Sequence, residues 1–192
     1  MAINIVEEIQ KKLGLPELQK IDPNTQEVKK PENMAAENYV AQAGIPTVLI
    51  GLYKYSRTKE GNTYILQNEL SGNLLPIIFG DLKNSVVDSV ATYTNNTSEY
   101  TNNTMEVIAR EAVQIIREQL NGHNTDGDVR TFLTDQRSNI LKVLPAGLQI
   151  GTLLNDDAVD DKTHKMEGPV SDAMHWIEKL FSNSDRQKEE NF

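Results

Sequence analysis

Gly44-Ile45-Pro46-Thr47-Val48-Leu49-Ile50-Gly51-Leu52-Tyr53 is the longest apolar run of the chain, and a proline stands near its start. Proline inside an apolar helix removes a backbone hydrogen bond and bends or ends the helix. Two further segments repeat the device: Leu75-Pro76-Ile77-Ile78-Phe79-Gly80 and Leu144-Pro145-Ala146-Gly147-Leu148-Gln149-Ile150-Gly151. Three prolines in three apolar segments fix the paths of buried helices and do not lay out an active site. In the first segment Pro46 either bends a helix or opens one at its first turn, where its missing N–H costs nothing. A bend at Gly44-Ile45 is expected, because the residue before proline disfavours helical geometry.

Helical periodicity extends outward on both sides. Ile5, Val6, Ile9 and Leu13 share one stripe, with Glu7, Glu8, Lys11 and Lys12 opposite and Gly14 and Pro16 as a stop. Residues 21–32 hold Pro23 and Pro31 among polar residues and read as a loop. A helix begins near Met34, with Tyr39, Val40 and Ala43 inward, and continues past the proline to a stop at Lys59-Glu60-Gly61. A short helix over 63–69 is expected next. The second proline segment reads as a loop leading into a cap at Gly80-Asp81, followed by Leu82, Val86, Val87, Val90 and Tyr93 at helical spacing.

The polar stretch 92–104 carries helix-entry chemistry. Asn96 precedes Glu99 by three residues and Asn103 precedes Glu106 by three, each pair suited to a cap with a returning carboxylate. A long helix to about Leu120 buries Met105, Ile108, Ala112, Val113, Ile115, Ile116 and Leu120, and Asn121-Gly122 ends it. Thr125 to Asp128 cap a short helix with Val129, Phe132 and Leu133. Another runs from Asp135 through Ile140, Leu141 and Leu144 into the third proline segment. A last helix, 169–181, opens on Pro169 and lines Val170, Ala173, Met174, Ile177, Leu180 and Phe181 on one face; 182–192 is a frayed tail. No run alternates with period two for long. The expected fold is all-α, a compact multi-helix domain over 1–181 with proline-bent helices and short connecting helices.

Composition agrees with that class. Aromatic residues are 6% of the 192 and hydrophobic residues 38%, so aliphatic side chains supply most of the core. The net charge of −9 opposes non-specific binding to nucleic acid or anionic lipid. Lys11, Lys12, Lys20, Lys29 and Lys30 read as solvated positions near acidic neighbours. With no cysteine there is no disulfide, thiolate metal site or cysteine nucleophile. The first residues lack the basic and apolar regions of a secretory signal, and no apolar run reaches the roughly 20 residues of a membrane span. A cytoplasmic protein is expected. The Asn-x-Ser/Thr patterns at Asn95, Asn96 and Asn102 then read as helix-entry chemistry.

Parts of the pattern resemble a known family. Ile45-Pro46-x-x-Leu49-x-Gly51-Leu52 followed by Thr58-x-Glu60-Gly61 is similar to the bacterial YidB-like family, a domain of unknown function. Phe79-Gly80-Asp81 with Val86 and the polar entry at 95–98 resembles the next part of its pattern. Leu133-x-x-Gln136-x-x-Asn139-Ile140-Leu141-x-x-Leu144-Pro145-Ala146-Gly147-Leu148 resembles it most closely. The resemblance spans about residues 3–154. The chain departs from it in lacking glycine- and alanine-rich stretches and in having Lys59 where proline is common. It implies a helical bacterial protein and brings no catalytic residues.

Candidate sites are few. His123, His164 and His175 are the histidines, with Glu167, Asp160 and Asp161 near His164 in sequence, but zinc needs ligands that converge. Asn124-x-Asp126-x-Asp128 resembles the start of a calcium loop, yet Val129 and Asp135 stand where glycine and glutamate are required. Asp156, Asp157, Asp160 and Asp161 form a second acidic group; both groups read as helix caps. No nucleophile elbow and no phosphate-cradling glycine loop is present. Trp176 and Met166 offer an adaptable partner surface, while Met105 and Met174 read as core. No catalytic, cofactor-binding or metal residues are assigned, and no cofactor is expected. The leading expectation is a non-enzymatic interaction or scaffold module with a protein partner or self-association. The alternative is a small-molecule or lipid-binding domain with an apolar pocket between proline-bent helices; third is a metal-dependent enzyme.

Overall fold

The computed structural model describes residues 3–22, 24–25, 27–28, 36–67, 72–120 and 128–154. Among these residues there is helix and no strand: an all-α, compact multi-helix domain. The expected helix over 169–181, the tail and the entry near Met34 lie outside the described residues.

Helix α1, Ile5–Leu13, has the expected bounds. Asn4 caps it by accepting from the Val6 amide at 3.1 Å and donates to the Glu7 carboxylate at 2.8 Å. Gly14 closes it in the left-handed conformation, φ 64°, where a side chain is strained.

Helix α2, Ala36–Tyr55, is the centre of the fold. Every residue from Tyr39 to Tyr53 is buried, on all sides of the helix. The helix runs through Pro46, so Gly44-Ile45 is neither the end of one helix nor the start of another. Magnitudes explain this. An internal proline costs about 3 kcal/mol, whereas each fully buried Val, Leu or Ile contributes roughly 1.5–3 kcal/mol. Ile45, Val48, Leu49, Ile50 and Leu52 are all fully buried, and that burial requires the helix to continue.

The other helices wrap α2. The turn after Tyr55 ends on Thr58, whose hydroxyl accepts from the Gly61 amide at 2.9 Å. Helix α3 therefore starts at Lys59 and ends at Gln67. Lys59-Glu60-Gly61 is not a stop but the first turn of the next helix, four residues before the expected start. A Cβ on Gly61 would lie 1.9 Å from the Tyr55 carbonyl oxygen, so this position has no room for a side chain.

The second proline segment is helix α4, Leu75–Phe79, with Pro76 in its first turn, and not a loop. A 3₁₀ turn, Gly80–Leu82, joins it to α5, Lys83–Thr94. Asp81 lies inside that turn, and no side chain caps α5, so the expected Gly80-Asp81 cap is absent. Val86, Val87 and Val90 are buried as their spacing predicts, and Asn95 in left-handed geometry ends the helix.

Helix α6, Ser98–Leu120, is the longest described element. Its cap is Thr97, which accepts from the Tyr100 amide at 3.2 Å; Asn96 instead donates to the Thr94 carbonyl. Asn103 sits inside α6 and caps nothing there. α6 packs along α2, with Ile108 Cδ1 and Met105 Cγ placed 3.2 and 3.4 Å from where a Cβ on Gly44 would be.

Helices α7, Asp128–Asp135, and α8, Arg137–Leu141, close the other side of α2. α8 stops before the third proline segment and does not run into it. Pro145 is extended, ψ 133°, followed by a 3₁₀ turn, Ala146–Leu148, and a short helix α9, Ile150–Leu153. The three prolines thus occupy three settings: inside a buried helix, in a helix's first turn, and in an extended crossing.

Candidate functional site

The residues singled out in the sequence fall mostly outside the described structure: His123, His164, His175, Asn124, Asp126, Asp156, Asp157, Asp160, Asp161, Met166, Met174 and Trp176. Asp128 is the first residue of α7, a position where a carboxylate suits the helix dipole. Met105 is fully buried in the core. Among the described residues no group of three His, Asp or Glu side chains could hold a metal ion, and no helix is long and apolar enough to cross a membrane.

What the fold does assemble is a set of polar side chains committed to backbone groups of distant elements. Glu106, on the core face of α6, accepts from the Leu74 amide at 2.7 Å and the Leu75 amide at 3.1 Å. These are unpaired donors at the start of α4, which has no cap of its own. The carboxylate read as the partner of Asn103 serves another helix instead.

Gln136, between α7 and α8, does the same for α1. Its amide oxygen accepts from the Ile5 amide at 3.0 Å and from Asn139 Nδ2 at 3.0 Å. Its Nε2 donates to the Ile3 carbonyl at 2.9 Å. Gln136 is buried, and both halves of its amide are used. Buried Gln42 of α2 accepts from the Gln19 amide and donates to the Gln19 and Val143 carbonyls, tying the strand of chain before α2 to the end of α8.

The nearest approach to an acid–base pair is at Glu27. Its carboxylate accepts from the Tyr93 hydroxyl at 2.6 Å and from the Gly147 amide at 2.5 Å. Tyr39 of α2 stacks on Tyr93, ring centroids 5.8 Å apart. Burial first, then the hydrogen bond to Glu27, pushes the Tyr93 phenol well above the usual tyrosine range. Tyr93 therefore stays protonated and donates to Glu27 at neutral pH. Both oxygens of Glu27 are occupied, so the cluster holds a loop in place.

The surface is plain by comparison. Lys12 of α1 pairs with Glu111 at 3.2 Å and Glu118 at 2.8 Å on α6, as expected for a lysine near acidic neighbours. Val107 on α6, 52% exposed, is the one large hydrophobic residue exposed among the described residues.

The α2 seam bears on the expected apolar pocket. A Cβ on Gly51 would stand 2.4 Å from Phe79 Cε1 and 2.8 Å from Ile78 Cγ2, so α2 and α4 touch there. The glycines at 44 and 51 are close-approach points and do not line an opening. Compared with family models, curated proteins and solved structures, the chain matches none.

Proposed function

We propose that this chain is a non-enzymatic helical interaction or scaffold module, cytoplasmic and allied to the bacterial YidB-like family whose pattern it resembles. One observation carries the reading: the buried polar side chains Glu106, Gln136 and Gln42, and half-buried Glu27, are all bonded to backbone groups of other elements. Catalysis calls for polar groups aimed at a reacting atom; here they are aimed at helix ends and loops. The alternative, an apolar pocket for a small molecule or lipid, gains no support at Gly44 and Gly51, where the helices are in contact.

Self-association through an outer helix face is the form of interaction the notably exposed Val107 suggests, flanked on α6 by exposed Asn103, Arg110 and Gln114. Light scattering over a range of concentrations, on the chain and on Val107→Glu, tests it. A mass above the monomer that Val107→Glu lowers supports the proposal. A strict monomer that turns over a metabolite overturns it.

A further inference from the structure

No glycine or proline stands between Gly80 and Gly122, yet between Lys83 and Leu120 the helix breaks once, at Asn95-Asn96-Thr97. Local bonds make the break. The Asn95 and Asn96 amides donate to the Thr92 and Ala91 carbonyls at 3.2 and 2.9 Å. Exposed Ser98 of α6 donates from its hydroxyl to the exposed Asp88 carboxylate of α5 at 2.6 Å. Asn95 holds a left-handed conformation, φ 54°, which disfavours any residue with a side chain relative to glycine. Across the break the buried stripe keeps its phase. Thr94 and Thr101 are about two helical turns apart in sequence. In one straight helix Val87, Val90 and Thr94 would therefore share a face with Thr101, Met105 and Ile108, and all six are buried.

We propose that residues 95–97 are a hinge whose straightening joins α5 and α6 into one helix and passes α6, with the helices after it, to a second copy of this chain. Such an exchange gives a dimer at little cost, because the seams lost within one chain re-form between two. α6 packs against α1, α2 and α5, all of which precede the hinge. A second copy is the partner that carries those same three surfaces. Closed and exchanged forms then differ only at the turn. The closed form has a left-handed asparagine and the Thr97 cap; the exchanged form has unbroken helix. Protein concentration sets the rest of the balance by mass action. The exchange makes no use of Val107 and does not rest on the outer-face contact proposed above.

The Lys12–Glu111 and Lys12–Glu118 pairs read the exchange directly, because Lys12 precedes the hinge and both glutamates follow it. The test mixes isotope-labelled and unlabelled full chains, unfolds them in urea and refolds them at high concentration. Zero-length carbodiimide cross-linking follows, and monomer and dimer are separated by size exclusion. The dimer should give Lys12–Glu118 peptides with one labelled and one unlabelled half, and the monomer only unmixed ones. Asn95→Gly eases the closed turn and should lower the dimer yield several-fold. Changing Asn95, Asn96 and Thr97 together to Ala favours unbroken helix and should raise it several-fold. Val107→Glu should leave the mixed peptides unchanged. The exchange is overturned if no dimer forms in the protein or either hinge variant, if the dimer yields no mixed peptides, or if both hinge variants leave the yield alone. A dimer that lacks mixed peptides and is lost with Val107→Glu belongs to the outer face of α6 instead.

Discussion

Glu106 Oε2 stands 2.7 Å from the amide nitrogen of Leu74, thirty-two residues earlier in the chain, and through that bond the longest described helix holds the start of one of the shortest. α4 is five residues long with a proline at its second position; a helix that short has no stability by itself. The carboxylate supplies what the segment lacks.

Glu106→Ala should destabilise the fold by about 2–4 kcal/mol, since two buried N–H donors lose a charged acceptor. Glu106→Gln keeps one acceptor oxygen and should cost less than Ala. Urea unfolding of the two variants checks the order. Equal losses would mean that water replaces the carboxylate.

Gly51→Ala brings a methyl group into the Phe79 ring. Overpacking of this kind costs about 1–3 kcal/mol, against about 1 kcal/mol gained from helix propensity, so a net loss is expected. Combining it with Phe79→Leu should cost less than the sum of the two single changes, a coupling that thermal unfolding resolves. Gly61→Ala should be worse than Gly51→Ala, because the obstructing Tyr55 oxygen is backbone and cannot rotate away.

Gln136→Ala leaves the Ile5 amide and the Ile3 carbonyl without their partner, at a cost of about 1–3 kcal/mol for each group that stays buried and unpaired. The loss should be local. Amide hydrogen exchange in α1 should speed up well before that in α6, whereas Asn4→Ala should give only the roughly 1 kcal/mol of a lost cap.

The Lys12 pairs give a pH signature. The hydrogen bond to Glu118, ahead of the Glu111 contacts, raises the Lys12 ammonium above its usual value, and the same bond holds the Glu118 carboxyl below its own. The depressed carboxyl contributes stability that is present above the usual glutamate range and lost as pH falls through its folded value. The raised ammonium contributes stability that is present below the usual lysine range and lost as pH rises through its folded value. The difference in urea midpoint between the protein and Lys12→Met should therefore be flat through neutral pH, vanish at both extremes and shrink with added salt. A difference that persists in acid would assign the effect to the lysine's methylenes instead.

The sequence was most legible where one face of a helix is buried. The stripes of α1, α5 and α6 predict most of their buried residues, with Leu13, Tyr93 and Leu120 only half-buried, because solvent on one side leaves a readable period. It was least legible at α2, where burial on every side erases the period and the proline becomes the loudest signal. Cap assignments suffered from a related ambiguity. Asn96 and Thr97 are both good caps, and only the tertiary path selects Thr97. Thr58 was hidden behind Lys59-Glu60-Gly61, which reads equally well as an end or a beginning. Glu106, Gln42 and Glu27 were illegible because their partners lie 23 to 120 residues away and, the Tyr93 hydroxyl apart, are backbone atoms, which leave no mark in side-chain spacing. Gln136 and Asn139 did appear in the sequence, in the segment of strongest family resemblance, but without the start of α1 that Gln136 bonds.

The burial of α2 on all sides has a consequence during synthesis. The helix is translated before α5 and α6, which cover much of it. At roughly 5–20 residues per second a ribosome needs several seconds to make the intervening chain. For that interval the most apolar segment of the protein is without its partners, and a chaperone that binds short hydrophobic stretches would find it there, around Ile45 to Leu52, on every newly made molecule.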